Sequence, residues 1–102
     1  MEVSIWRGGR NNNYGIRIGA ENRKKYFDPS WTSVEIVMDG RTYVVELAPG
    51  FWKKNPEIFD AGETGIFQEW LRRHKKPMEW SLGETPKLQL IPVGSGKFRL
   101  TP

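Results

Sequence analysis

Eight consecutive residues, RGGRNNNY at positions 7 to 14, hold the densest set of side chains in this chain able to do recognition chemistry. Arginine forks reach guanine bidentately, asparagine reaches adenine, and both hold phosphate. Arg7, Arg10, Asn11, Asn12, Asn13 and Tyr14 supply that inventory, while Gly8 and Gly9 let a backbone approach a groove wall closely. The same residues also suit an ordinary polar turn. A second set is Phe51-Trp52-Lys53-Lys54-Asn55, where an exposed Phe51-Trp52 pair could stack on a base or brace a phosphate-binding arm, and Lys53, Lys54 and Asn55 could reach DNA. The plainer alternative is that Phe51 and Trp52 cap a core and leave a solvated lysine corner. Arg17, Arg23, Lys24 and Lys25 complete the basic set as candidate phosphate holders, with Arg72 and Arg73 at its margin.

Catalytic chemistry finds little support. The chain has no cysteine and one histidine, so a thiolate metal site and a disulfide are both impossible. His74 stands among arginines and lysines at the end of an expected helix, where a solvated or phosphate-facing role fits better than catalysis. No nucleophile elbow, phosphate loop or dinucleotide fingerprint occurs. Glu57, Asp60 and Glu63 are close in sequence, but they read as loop solubilisers that favour the start of the next helix. The expectation is a non-enzyme with no metal and no cofactor.

The elements that must position these residues follow from pattern. Val3–Trp6 and Tyr14–Ile18 read as strands, and Ala20–Phe27 as a short helix stopped by Asp28-Pro29. Val34–Leu47 is two alternating arms around Asp39-Gly40, the signature of a tight hairpin. Ala48–Gly62 reads as a long shaped loop with room for a short strand. Thr64–Lys75 is the main helix: Thr64 as N-cap, Ile66, Phe67, Trp70 and Leu71 as its apolar stripe, and Pro77 beyond its end. Leu88–Ile91 and Lys97–Thr101, joined by a Gly94-Ser95-Gly96 turn, close the chain. The fold class expected is mainly β with short helices, a small open β-pseudobarrel of about six to seven strands.

At 102 residues the chain reads as one domain, residues 1–102, with a single modest core. Five Trp, five Phe and three Tyr can fill it and leave rings over for the surface. No apolar run nears the ~20 residues of a membrane span, and the N-terminus lacks a signal-peptide core, so no membrane association and no secretion are expected. The net charge is +4, and the pI of about 9.6 suits a polyanionic partner. Its placement is uneven: residues 1–27 carry six Lys/Arg against two Glu, whereas residues 28–50 carry one against four acids.

Taken in order, these pieces resemble the DNA-binding pseudobarrel of plant B3-type transcription factors and of the recognition or effector domains of some bacterial type II restriction endonucleases. YGIRIGAENRKKYF resembles that family's strand and following helix, EIVMDGRTYVVEL its central hairpin, GIFQEWLRRHKKPMEWSLGETPKLQLI its helix, link and strand, and KFRL its closing strand. The resemblance covers nearly the whole chain and rests on order, since no single motif is diagnostic. It implies two projections that grip the major groove: one between the first two strands, here Arg7–Tyr14, and one after the central hairpin, here about Pro49–Asn55. Ile18-Gly19-Ala20 departs from the proline and lysine of plant members, so no base preference carries over.

The function expected is sequence-specific binding of double-stranded DNA by a monomer. Arg7, Arg10, Asn11, Asn12 and Asn13 would read from one side and Trp52, Lys53, Lys54 and Asn55 from the other. Such a domain would work free-standing or with a linked or associated nuclease domain, in a bacterial cytoplasm or a eukaryotic nucleus. Two rivals remain: a protein-interaction β-barrel, and single-strand or RNA binding by stacking on Trp6, Tyr14 and Trp52. The single RGGR adds only one copy of an RNA-binding repeat.

Overall fold

Asp39 and Gly40 adopt φ angles of 52° and 78°, the positive values that a two-residue hairpin turn requires. They join β3 (Ser33–Met38) to β4 (Arg41–Glu46) in a register that pairs Met38 with Arg41 and Ser33 with Glu46. In this computed structural model, residues 1–8, 13–53, 56–60, 65–77, 79–81 and 83–102 are described. Expected site residues Arg10, Asn11, Asn12, Lys54 and Asn55 lie outside them, as does Thr64.

The other strands are β1 (Glu2–Gly8), β2 (Asn13–Arg17), β5 (Glu57–Phe59), β6 (Lys87–Gly94) and β7 (Lys97–Thr101). They form one seven-stranded sheet in the order β4-β3-β7-β6-β1-β2-β5. The pairs are antiparallel except β3 with β7, which run parallel. β4 and β5 are the two edges, so the sheet curls around its core without closing. The expected mainly-β open pseudobarrel is therefore the observed class. The inward rows are apolar and alternate along each strand: Val3 and Ile5, Tyr14 and Ile16, Val34, Ile36 and Met38, Leu88 and Leu90, Phe98 and Leu100. Among the described residues no helix is long and apolar enough to cross a membrane.

Helix α1 (Ala20–Tyr26) buries none of its own residues. Phe27 follows it in extended backbone and carries the packing instead, stacked on Phe98 at 4.9 Å and tilted against Phe51 at 5.1 Å. Asn22 fastens the helix to the sheet by donating to the carbonyls of Glu2 and Ile18.

Helix α2 (Ile66–Arg73) plugs the core with Phe67, Trp70 and Leu71. It is shorter at both ends than the expected Thr64–Lys75. Gly65 (φ 55°) and Lys75 (φ 54°) are left-handed, which no helical residue can be. Its N-terminal donors are met by a side chain from further back than an N-cap. The Asp60 carboxylate accepts the backbone N–H groups of Phe67 (2.9 Å) and Gln68 (3.2 Å). Asp60 thus bears out the expected helix-favouring role by direct hydrogen bonding.

Asp60 is only 4% exposed, and this burial raises its pKa above the ordinary 3.8 despite the lowering effect of those N–H donors. The native state therefore holds the proton more tightly than the unfolded chain. Asp60 contributes a stability that declines as pH climbs from 3.8 toward its native value. Asp60→Asn cannot ionise, so the stability difference between wild type and variant should shift in favour of the variant over that window. Urea midpoints from pH 3 to 7 test this, and a pH-independent difference would refute it.

Candidate nucleic-acid interface

The outward rows of β1, β2 and β5 form one surface. Register places Trp6, Gly15 and Phe59 side by side, then Ser4, Arg17 and Glu57, with Gly8 opposite Asn13 at the end. The Trp6 and Phe59 rings meet across Gly15 with centroids 5.0 Å apart. A Cβ on Gly15 would lie 2.1 Å from the Ile58 carbonyl oxygen and 2.5 Å from Phe59 Cα, so only glycine lets β5 approach here. A Cβ on Gly8 would meet the Trp6 ring at 2.8 Å. The space beside Gly8 belongs to Trp6, where the sequence suggested an approaching groove wall. Neither Trp6 nor Phe59 belongs to the core cluster.

At one end of this surface β1 stops at Gly8 and β2 starts at Asn13. Arg7 lies there, exposed, 3.8 Å from the Glu79 carboxylate, and shares a cleft with Glu79 and Trp80. Asn13 is half-buried. Tyr14 faces inward and is a core residue with 7% exposure. Its ring therefore offers no open face for a base to stack on.

At the other end, the Ile18 N–H donates to the Pro56 carbonyl at 2.8 Å, where the chain enters β5. The 3₁₀ turn Pro49–Trp52 stands close by, anchored by fully buried Phe51. Phe51 is core, as the plainer reading held. Trp52 is half-buried, edge-on to Phe51 at 4.9 Å, and lines a cleft with Ala20, Arg23, Lys24, Phe27 and Pro29. The Arg23 guanidinium donates to the Phe51 carbonyl at 2.6 Å, which joins α1 to the turn. Lys53 is exposed just past the turn, and Lys24 and Lys25 share a second cleft with Glu21. None of Arg23, Lys24, Lys25 and Lys53 has a carboxylate within ion-pair distance among the described residues. The fold thus gathers cations that stand far apart in sequence.

Other basic residues are committed elsewhere. Arg73 pairs with Asp39 and with Glu69, and the His74 Nε2 lies 2.8 Å from Asp39 Oδ1. These contacts tie α2 to the β3–β4 turn. The hydrogen bond from Arg73, then that from His74, holds the Asp39 carboxyl below its ordinary pKa. His74 and Arg73 therefore serve a carboxylate, where the sequence suggested solvent or phosphate.

Glu57 is the feature that sequence reasoning passed over. It reads as a loop solubiliser, yet it is 5% exposed on β5 and lies 3.3 Å from the Arg17 Nη2. The alternation in Glu57-Ile58-Phe59 after Pro56 is a short-strand signal that could have placed it. Among the described residues no three His, Asp or Glu side chains gather to hold a metal. No family model, curated protein or solved structure matches the chain.

Proposed function

We propose that this chain is a non-catalytic, sequence-specific double-stranded DNA-binding domain of the B3-like type, gripping the major groove from both ends of one short strand. The observation that supports the reading is where the described residues flanking the two polar segments lie. The chain leaves β1 and joins β2 at Gly8 and Asn13, and it passes into β5 beside Arg17 and Ile18. Asn13 and Arg17 bound a five-residue strand, roughly 14 Å long at the usual rise. A B-DNA major groove is about 12 Å wide, so two arms at this spacing straddle it.

In this reading Arg7, Arg10, Asn11, Asn12 and Asn13 form one arm and Trp52, Lys53, Lys54 and Asn55 the other. Arg23, Lys24 and Lys25 hold phosphates beside the second arm. The order of elements supports the family resemblance: a helix after β2, a central hairpin before the second arm, a second helix, then two closing strands. The domain acts as a monomer, free-standing or with a nuclease domain, in a bacterial cytoplasm or a eukaryotic nucleus. Single-strand stacking is disfavoured because Tyr14 is buried and Trp6 already packs on Phe59. A protein-interaction face would draw on exposed Val44, Ile91 and Val93. Their cross-strand neighbours include Glu35 and Arg99, which break up the apolar surface.

Titrating mixed-sequence duplex against salt tests the reading. Affinity should fall with a log–log slope near −0.9 per phosphate contact. Lys24→Ala with Lys25→Ala should shrink the slope by roughly 2 and weaken every duplex alike. Arg10→Ala with Asn12→Ala should relax sequence choice instead. No duplex binding at low salt overturns the proposal, and preference for single strands points to stacking.

A further inference from the structure

We infer that Arg17 is a base-reading residue, specific for guanine, and that Glu57 is its positioning residue; this rests on the double-stranded DNA reading above. Arg17 was expected to hold phosphate, but its surroundings fit that role poorly. It projects from the outward face of β2, in the row Ser4–Arg17–Glu57, with its side chain 57% exposed. It sits on a strand bonded on both sides, so its Cα is more firmly placed than a loop residue's.

The Glu57 carboxylate decides between phosphate and base. Its side chain is 6% exposed, and Arg17 is its only ion-pair partner among the described residues. A carboxylate at 3.3 Å neutralises the guanidinium and repels a phosphate brought to the same place. The acceptors of a guanine edge, O6 and N7, are dipolar and carry no net charge, so they suffer far less repulsion. The pairing also uses Nη2 and leaves other donors of the five-donor fork unused by Glu57. Held on one side before binding, the fork loses less rotamer freedom when it meets a base. A neutralised, pre-oriented and half-exposed arginine is suited to reading a base edge, whereas Lys24 and Lys25, which have no ion-pair partner among the described residues, are suited to phosphate.

The experiment selects sites from a random duplex pool with the full chain, then measures affinity and salt slope for wild type, Arg17→Ala, Arg17→Lys and Glu57→Gln. Wild type should enrich a site with one G·C pair that Arg17→Ala no longer prefers, at a loss of roughly tenfold there. The salt slope of Arg17→Ala should stay unchanged. Arg17→Lys keeps charge and stem but not the fork, so it should lose the same preference. Replacing that guanine with 7-deazaguanine, which lacks the N7 acceptor, should weaken wild type and leave Arg17→Ala unaffected. Glu57→Gln should blunt the preference while binding all duplexes more tightly, since one repelling charge is gone.

A uniform loss for Arg17→Ala with a slope smaller by about 0.9 identifies a phosphate contact and overturns the inference while the DNA reading stands. An unchanged motif in Arg17→Lys overturns it too. Wild type that binds no duplex overturns the DNA reading itself.

Discussion

Replacing Gly15 with alanine should destabilise the protein by about 3 kcal/mol, more than any other single methyl group added to this sheet. The new Cβ would stand 2.1 Å from a backbone oxygen and 2.5 Å from a backbone Cα, and backbone cannot swing aside as a side chain can. β5 must move away from β2, breaking the pairs Gly15–Phe59, Ile16–Ile58 and Arg17–Glu57 together. The Tyr14 carbonyl also accepts from the Asp60 N–H at 2.9 Å, so the displacement reaches the residue that caps α2. Gly8→Ala is the control. Its new Cβ meets the Trp6 ring first, a side chain that can tilt, and its cost should stay near 1 kcal/mol or below. Urea unfolding measures both. A Gly15→Ala midpoint equal to wild type would mean that β5 does not lie against this glycine. Under the DNA reading, Gly15→Ala should also lose sequence preference at temperatures where it remains folded, because it separates Arg17 from Glu57.

The second large effect lies beneath the 3₁₀ turn Pro49–Trp52. Phe51 is fully buried against Phe27 and Trp52, and truncating a buried phenylalanine to alanine costs about 3–5 kcal/mol. A chain of this size has a total stability of about 5–15 kcal/mol, so Phe51→Ala should forfeit a large share of it. Phe51→Leu fills most of the volume and should fold. In it, the anchor of the 3₁₀ turn is weakened, and the Lys53 N–H, bonded to the Gly50 carbonyl at 3.1 Å, should exchange with solvent faster than in wild type. Arg23 donates to the Phe51 carbonyl, so the loosened turn also loses its tie to α1. Under the DNA reading, duplex affinity should fall in Phe51→Leu without a change in the number of cations. Unchanged exchange at Lys53 would show that the turn does not depend on the Phe51 ring.

Much of the architecture was legible because strands and helices obey local rules. Asp39-Gly40 states a hairpin by its φ preferences, and the apolar alternation around it states which side is core. Ile66, Phe67, Trp70 and Leu71 mark a helix face by spacing alone. The helix ends were harder. Thr64 is a good N-cap by type, but Gly65 turns left-handed before the helix starts, and the capping carboxylate comes from Asp60, seven residues before Phe67. That partner is chosen by how β5 docks beside β2, which no local rule contains. Lys75 similarly stops α2 in a left-handed conformation, at a residue type that gives no such warning.

The candidate surface divides along the same line. Sequence alone determined its chemical inventory: a run of arginine and asparagine between two strands, an aromatic-basic segment after the hairpin, and the absence of thiols or clustered histidines for catalysis. It also determined a mainly-β open pseudobarrel, since alternation and turn residues are encoded within a few neighbours. Only the tertiary structure decided which side chains are exposed to partners. Tyr14 and Ile16 face inward while Gly15 and Arg17 face outward, because strand parity is set by which row meets the core. The same parity puts Glu57 opposite Arg17, forty residues away in sequence, and turns a presumed surface acid into a buried partner. Arg73 and His74 meet Asp39 because the end of α2 lies against the β3–β4 turn. Local sequence records what a residue can bond, and the packing of distant strands settles what it meets.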